Sequence, residues 1–166
     1  MKVILIGAGR LATNLGKALL EAGHDILQVY SRTMESASAL ATLAGGAPVT
    51  EIEKVRNDAD VYIISVKDSV LPDLVQSLCS GRSTKVFLHT AGSVNMDVFA
   101  GMALHYGVFY PMQSFSKEKT VSFHDIPCFV EANDDYAHDV LMQLAQSLTT
   151  KIYQLSSEDR KYLHLS

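Results

Sequence analysis

Motifs that would place metal or hydrolytic chemistry in this chain are missing. There is no HExxH pair of histidines, no CxxC pair and no GxSxG elbow, so a metal site or a serine hydrolase has little to rest on. The two cysteines, Cys79 and Cys128, lie far apart in apolar patterns and read as inert buried thiols rather than a disulfide or a catalytic thiol. No charge of one sign dominates. Fourteen Lys and Arg against eighteen Asp and Glu give a formal net charge of −4, which argues against binding nucleic acid or an anionic membrane by bulk charge while leaving room for a local basic pocket. Long apolar runs are also absent: the run from Val3 to Ile6 is stopped by Gly7, too early for a signal-peptide core and too short for a bilayer. The expectation is a cytoplasmic protein with no membrane, nucleic-acid or metal partner.

What is present is a chain of 166 residues, 48% hydrophobic and 19% charged, which suits one globular domain with a core. Apolar runs of strand length alternate with segments of helical period. Strands are expected over 2–6, 26–30, 61–66, 85–88, 108–110, 128–131 and 151–153, most of them apolar on consecutive positions, as strands covered on both faces are. Helices are expected over 11–22, ended by Gly23, over 34–43, ended by Gly45 and Gly46, over 69–79, and over 135–148. The polar stretch from Phe115 to Asp125 reads as a long loop, either functional or merely solvated. This alternation predicts an α/β fold, a doubly wound, mostly parallel Rossmann-type sheet with helices on both faces. Ser156 or Ser157 followed by Glu158 and Asp159 is a helix-start signal. Residues 1–154 thus read as the domain, and 155–166 as the start of a helix leading into a further, carboxyl-terminal part of a longer protein.

The strongest motif is Gly7-Ala8-Gly9-Arg10-Leu11-Ala12, a GxGxxA sequence between an expected strand and an expected helix. Gly7 permits a tight turn, Gly9 lets the backbone approach a diphosphate, and Ala12 allows close packing of helix on sheet. The first amides of the helix then face the phosphates. After the second strand, where an NAD enzyme carries Asp or Glu for the ribose 2′-hydroxyl, this chain has Ser31-Arg32-Thr33. Arg32 can pair with a 2′-phosphate, with Ser31 and Thr33 as hydroxyl donors, which points to NADP(H) rather than NAD(H). Arg10 adds a second positive charge. The alternative makes Arg32 a surface residue and Thr33 a helix cap.

Ligands of open α/β sheets bind outside the carboxyl ends of the strands, so the residues there are candidates together. Val66, Lys67 and Thr90 are expected beside the cofactor, with Asp68 capping the next helix. His89 is a candidate proton donor to a carbonyl or imine, or a structural hydrogen-bonding group fixing its loop. Ser93 and Gln113 are candidates for orienting a substrate, with Ser93 alternatively capping a short helix near Asn95. His105, His124 and His138 are scattered and read as surface or loop residues.

Beyond these motifs, GAGRLA, DVYIISVKDSVLPDLV, FLHTAGS, GVFYPMQSFS and IPCFVEA together make the whole chain resemble a family of bacterial Rossmann-like NADP oxidoreductases. Its members pair this domain with a carboxyl-terminal helical domain of unassigned function. More distantly the chain is similar to the superfamily of pyrroline-5-carboxylate reductase, deazaflavin-dependent NADP reductase, 6-phosphogluconate, 3-hydroxyisobutyrate and prephenate dehydrogenases. The resemblance implies a homodimer formed through the helical domain and a helix start at SSEDRKYLHLS that turns Arg160 and His164 to the cleft, or alternatively to solvent. Tyr110-Pro111-Met112 stands where prephenate dehydrogenases have His-Pro-Met, which argues against that substrate. The expected function is transfer of hydride to or from a small carbonyl, imine or hydroxy acid; the alternative is a non-catalytic NADP(H)-binding sensor.

Overall fold

Alternating side chains along the first strand decide the architecture. In β1 (Lys2–Ile6), Val3 and Leu5 point to one side and Ile4 and Ile6 to the other, and all four are at most 1% exposed. Such a strand needs a cover on both faces. The computed structural model, which describes residues 1–119 and 121–165, supplies it. Helices α1 (Arg10–Glu21), α2 (Met34–Ala44) and, after α3 (Leu71–Cys79), α4 (Asp135–Leu148) are the long ones. Side chains of α1, α2 and α4 pack with Val3 and Leu5, and those of α3 pack with Ile4 and Ile6 beside a 3-10 turn at Met96–Phe99.

The sheet continues through β2 (Asp25–Tyr30), β3 (Ala47–Val49), β4 (Val61–Ile64), β5 (Val86–His89), β6 (His105–Pro111), β7 (Cys128–Ala132) and β8 (Ile152–Gln154). Its order is β3-β2-β1-β4-β5-β6-β7-β8. Six strands are parallel; β7 pairs antiparallel with β6, from Pro111 opposite Cys128 to Gly107 opposite Ala132, and β8 pairs parallel with β7. No long helix separates β6 from β7, and a chain that returns without a crossover must pair antiparallel. The result is a doubly wound α/β fold of Rossmann type.

Several boundaries differ from expectation for identifiable reasons. β3 escapes the sequence pattern because it has three residues and contains Pro48, which only an edge strand tolerates. β6 begins three residues early, at His105, because Gly107 interrupts its apolar run. β4 ends at Ile64 rather than Val66, and α3 starts at Leu71 with a proline in its first turn rather than at Ser69. Asp68 therefore does not cap α3; Val70 occupies that position and no side chain caps it.

Thr120 lies outside the described residues; the rest of the 115–125 stretch is less loose than its polarity suggests. The rings of Phe115 and Phe123 stack at 5.5 Å against the α1 and α4 side of the core, and Phe123–Asp125 forms a 3-10 turn. Both cysteines are buried, which pushes their thiols up to about 12. Arg82, unremarked in the sequence, is buried and donates to the carbonyls of Ile52, Val55 and Leu78. It ties α3 to the segment before β4.

Candidate functional site

Because β1 lies between β2 and β4, the chain leaves its carboxyl end in opposite directions on the two sides and opens a crevice there. A cavity of about 630 Å³ fills the crevice. Its wall comes from the turn after β1 (Gly7 to Leu11), the end of β2 (Tyr30 to Arg32), the segment after β4 (Ser65 to Asp68), the loop after β5 (Thr90 to Gly92), and Ser36, Tyr110, Lys117 and His164, among others.

The two glycines of the turn do different work. Gly7 has φ 112°, a conformation side chains rarely adopt, and a Cβ there would overlap the Ser65 carbonyl. Its amide donates to Tyr30 at 2.8 Å, fastening the turn to β2. Gly9 has ordinary backbone angles, yet a Cβ there would meet nothing within 4 Å, because it would project into open space. No side chain caps α1. The first amides of that helix are thus left for an external acceptor, and a phosphate is the usual one. Ala12 lies behind the wall, buried with Leu15 on the sheet.

Ser31 and Arg32 reach the cavity, as do Arg10, Val66, Lys67 and Thr90. Thr33 does not line it: its hydroxyl accepts from the Ser36 amide at 3.3 Å and caps α2. Among the described residues the wall carries four strong cations, Arg10, Arg32, Lys67 and Lys117, against one carboxylate, Asp68. That charge, an uncapped helix start and a basic residue where a 2′-hydroxyl acceptor would stand all fit an anionic dinucleotide bearing a 2′-phosphate.

The three residues expected to act on substrate are not brought to this wall. His89 is a strand residue with no exposure, its Nδ1 accepting from the Ala91 amide at 3.0 Å and its Nε2 without a hydrogen-bond partner. Burial, reinforced by the charge of Arg160, pushes its imidazole down to about 4. Its ring packs on that of Phe99 with centroids 5.8 Å apart, behind the cavity wall. The Ser93 hydroxyl donates to Asp68 at 2.7 Å, and Asn95 rather than Ser93 caps the 3-10 turn by accepting from the Asp97 amide. Gln113 is exposed and outside the cavity lining.

A different pair stands at the wall. The Tyr110 hydroxyl and His164 Nδ1 lie 2.9 Å apart, both lining the cavity. Burial raises the Tyr110 phenol, with the charge of Arg160 opposing. His164 sits on α5 (Ser157–Leu165) with its ring pressed to Gly92, where a Cβ would overlap it. Arg160, 1% exposed, fixes that helix: it donates to the Glu131 carboxylate at 3.0 Å, to the Ala91 carbonyl at 3.3 Å and to the Val94 carbonyl. Ser157 donates to the same carboxylate at 2.5 Å. Arg160 is therefore not solvent-facing, whereas His164 is exposed and lines the cavity. Their spacing of four, which sets two side chains on one helical face, is the signal that could have paired them.

Among the described residues no group of three or more His, Cys, Asp or Glu is placed to hold a metal ion, and no helix is long and apolar enough to cross a membrane. No match to a curated protein is found. Among solved structures, a Bacteroides fragilis protein described as an NADP oxidoreductase is 47% identical, with TM-score 0.95, covering 99% of this chain and 64% of that one. A pyrroline-5-carboxylate reductase from Coxiella burnetii, 18% identical with TM-score 0.77, shares the fold.

 The coverage in that case is 96% of this chain and 60% of the reductase. An imine reductase from Myxococcus stipitatus, solved in complex with NADP+, shares the fold as well, at 14% identity and TM-score 0.74, covering 99% of this chain and 59% of that one. The chain thus spans less than two thirds of the length of these proteins. Residues 2–91, from β1 to the loop after β5, match the family model described as NADP oxidoreductase, coenzyme F420-dependent. With more than half of its length inside that match and its nucleotide turn at the head of it, the chain belongs to this family of NADP oxidoreductases.

Proposed function

We propose that the cavity holds NADP(H) and that the protein transfers hydride between this cofactor and a small carbonyl, imine or hydroxy-acid substrate. The observation that carries the reading is the conjunction at one cavity wall of an uncapped α1, an open Gly9 and Arg32. The turn from Gly7 to Leu11 would hold the diphosphate, with Ala12 packing the helix behind it. Ser31 and Arg32 would hold the 2′-phosphate, with Thr33 fixing the start of α2 beside them. Val66, Lys67 and Thr90 would form the wall beyond. Bound NADPH supplies the hydride. The proton that a reduced carbonyl or imine also needs would come from the Tyr110 hydroxyl, with His164 hydrogen-bonded behind it to return one. In this reading Ser93 acts through Asp68, whose carboxylate it restrains, and His89 and Gln113 take no part in proton transfer. A cytoplasmic location completes the proposal, as does a homodimer joined through a carboxyl-terminal helical domain, the latter resting on the resemblance in sequence.

Calorimetric titration with NADPH and NADH tests the cofactor assignment. NADPH should bind more tightly, and Arg32→Glu should weaken NADPH binding far more than NADH binding. Equal losses for the two, or tighter binding of NADH by the native protein, would remove Arg32 from the role given to it.

A further inference from the structure

We infer that Lys117 is a diphosphate-binding residue set in place by Asn14, an inference that rests on the cavity being an NADP(H) site. Lys117 is distant from the α1 turn in sequence and no motif connects the two, yet it lines the cavity together with Gly9 and Arg10. The link is Asn14, 1% exposed in the second turn of α1. Its amide donates to the Arg10 carbonyl at 2.9 Å and to the Ser116 carbonyl at 2.7 Å, and its oxygen accepts from the Val121 amide at 3.4 Å. Ser116 in turn accepts from the Lys119 amide at 3.1 Å, so Lys117 stands at the corner of a turn held against the first turn of α1.

Helix geometry says which phosphate it serves. Successive residues of an α-helix are rotated by about 100°, so Asn14 and Gly16 point in nearly opposite directions. Gly16 faces Ala44 and Leu40 of α2, and Arg32 lies just ahead of α2. Lys117 is therefore on the side of the α1 start away from Arg32. Two cations flank the helix start: a guanidinium on the side of the 2′-phosphate, and an ammonium on the side of the diphosphate. An ammonium is a compact point charge suited to a diphosphate, which offers acceptors in several directions. Asn14 does not line the cavity; it is a positioning residue that acts through Ser116.

The test is calorimetric titration of the native protein, Lys117→Gln, Asn14→Ala and the double variant with NADPH and with NADH, alongside melting temperatures. Lys117 is exposed, so Lys117→Gln should fold normally. It should weaken both nucleotides by about tenfold, the scale of one charge-assisted hydrogen bond, and by the same factor for each. Asn14→Ala should do likewise, and the double variant should bind no worse than either single one, because both remove the same contact. Unchanged binding in Lys117→Gln would overturn the inference, and so would a loss confined to NADPH, which would place Lys117 at the 2′-phosphate. A native protein that binds neither nucleotide would instead overturn the cofactor reading beneath it, and the inference with it.

Discussion

Two glycines two positions apart in one turn predict opposite phenotypes. Alanine at position 7 must collide with the Ser65 carbonyl in a backbone conformation it avoids, whereas alanine at position 9 meets only cavity. Gly7→Ala should therefore lower the melting temperature, and Gly9→Ala should leave it close to native while weakening NADPH binding, because the new methyl group occupies ligand space. A scan of melting temperatures with and without NADPH separates the two; equal melting and binding in Gly9→Ala would contradict an open approach at that residue. At the other end of the cavity, Tyr110→Phe removes a hydroxyl without changing the ring. With any carbonyl or imine compound that the protein reduces, kcat should fall by about 10² or more at unchanged NADPH affinity, and an unaltered kcat would exclude Tyr110 as the proton donor. The glycine turn and Arg32 were legible in the sequence because one backbone requirement and one charge mark them. The pairing of Tyr110 with His164 was not, because their proximity is made by the burial of a third residue, Arg160. His89 carried two readings in the sequence, proton donor or structural group, because its burial against Phe99 is made by tertiary packing that no local pattern announces.

Elements were readable where a local signal bounded them and unreadable where a tertiary contact did. α4 spans Asp135–Leu148 as its acidic start predicts, with Asp134 capping it by accepting from the Ala137 amide at 2.8 Å and facing His105 Nδ1 at 2.6 Å. Burial opposes the charged form of Asp134, but the Ala137 amide and His105 outweigh it and hold the carboxyl below the ordinary aspartate range. A carboxyl held low in the folded state contributes stability above its unfolded pKa, near 3.9, and loses it as pH falls through the folded value. Urea midpoints should accordingly drop between pH 5 and pH 3 more in the native protein than in Asp134→Asn, which keeps a capping oxygen but cannot titrate. An equal drop in the two would show that the acid sensitivity lies elsewhere. Replacing the cap altogether, as in Asp134→Ala, should cost about 1 kcal/mol. α5 shows the other case: Ser156 and Ser157 announced its start, but nothing local announced that Arg160 would be pulled under the loop after β5.

For the molecule as a whole, the alternation of strands and helices was enough to foresee a doubly wound sheet, since consecutive apolar strand positions leave few other arrangements. The position of the cavity followed from the same rule, because the crevice belongs to the strand order and not to any one side chain. The reversal of β7 and β8 was not legible, as it depends on how the segment between β6 and β7 returns. That segment holds the residues that the sequence described least well, Phe115 in the core and Lys117 at the cavity.

The burial of Cys79 and Cys128 has a practical side. Thiols held protonated and out of solvent are slow to meet an alkylating reagent, so a cysteine introduced at exposed Glu118 would take a maleimide fluorophore with little competition from the native pair. Within these 166 residues a single dye can thus be placed beside the cavity, and the colour of that dye could follow the arrival of a ligand in real time.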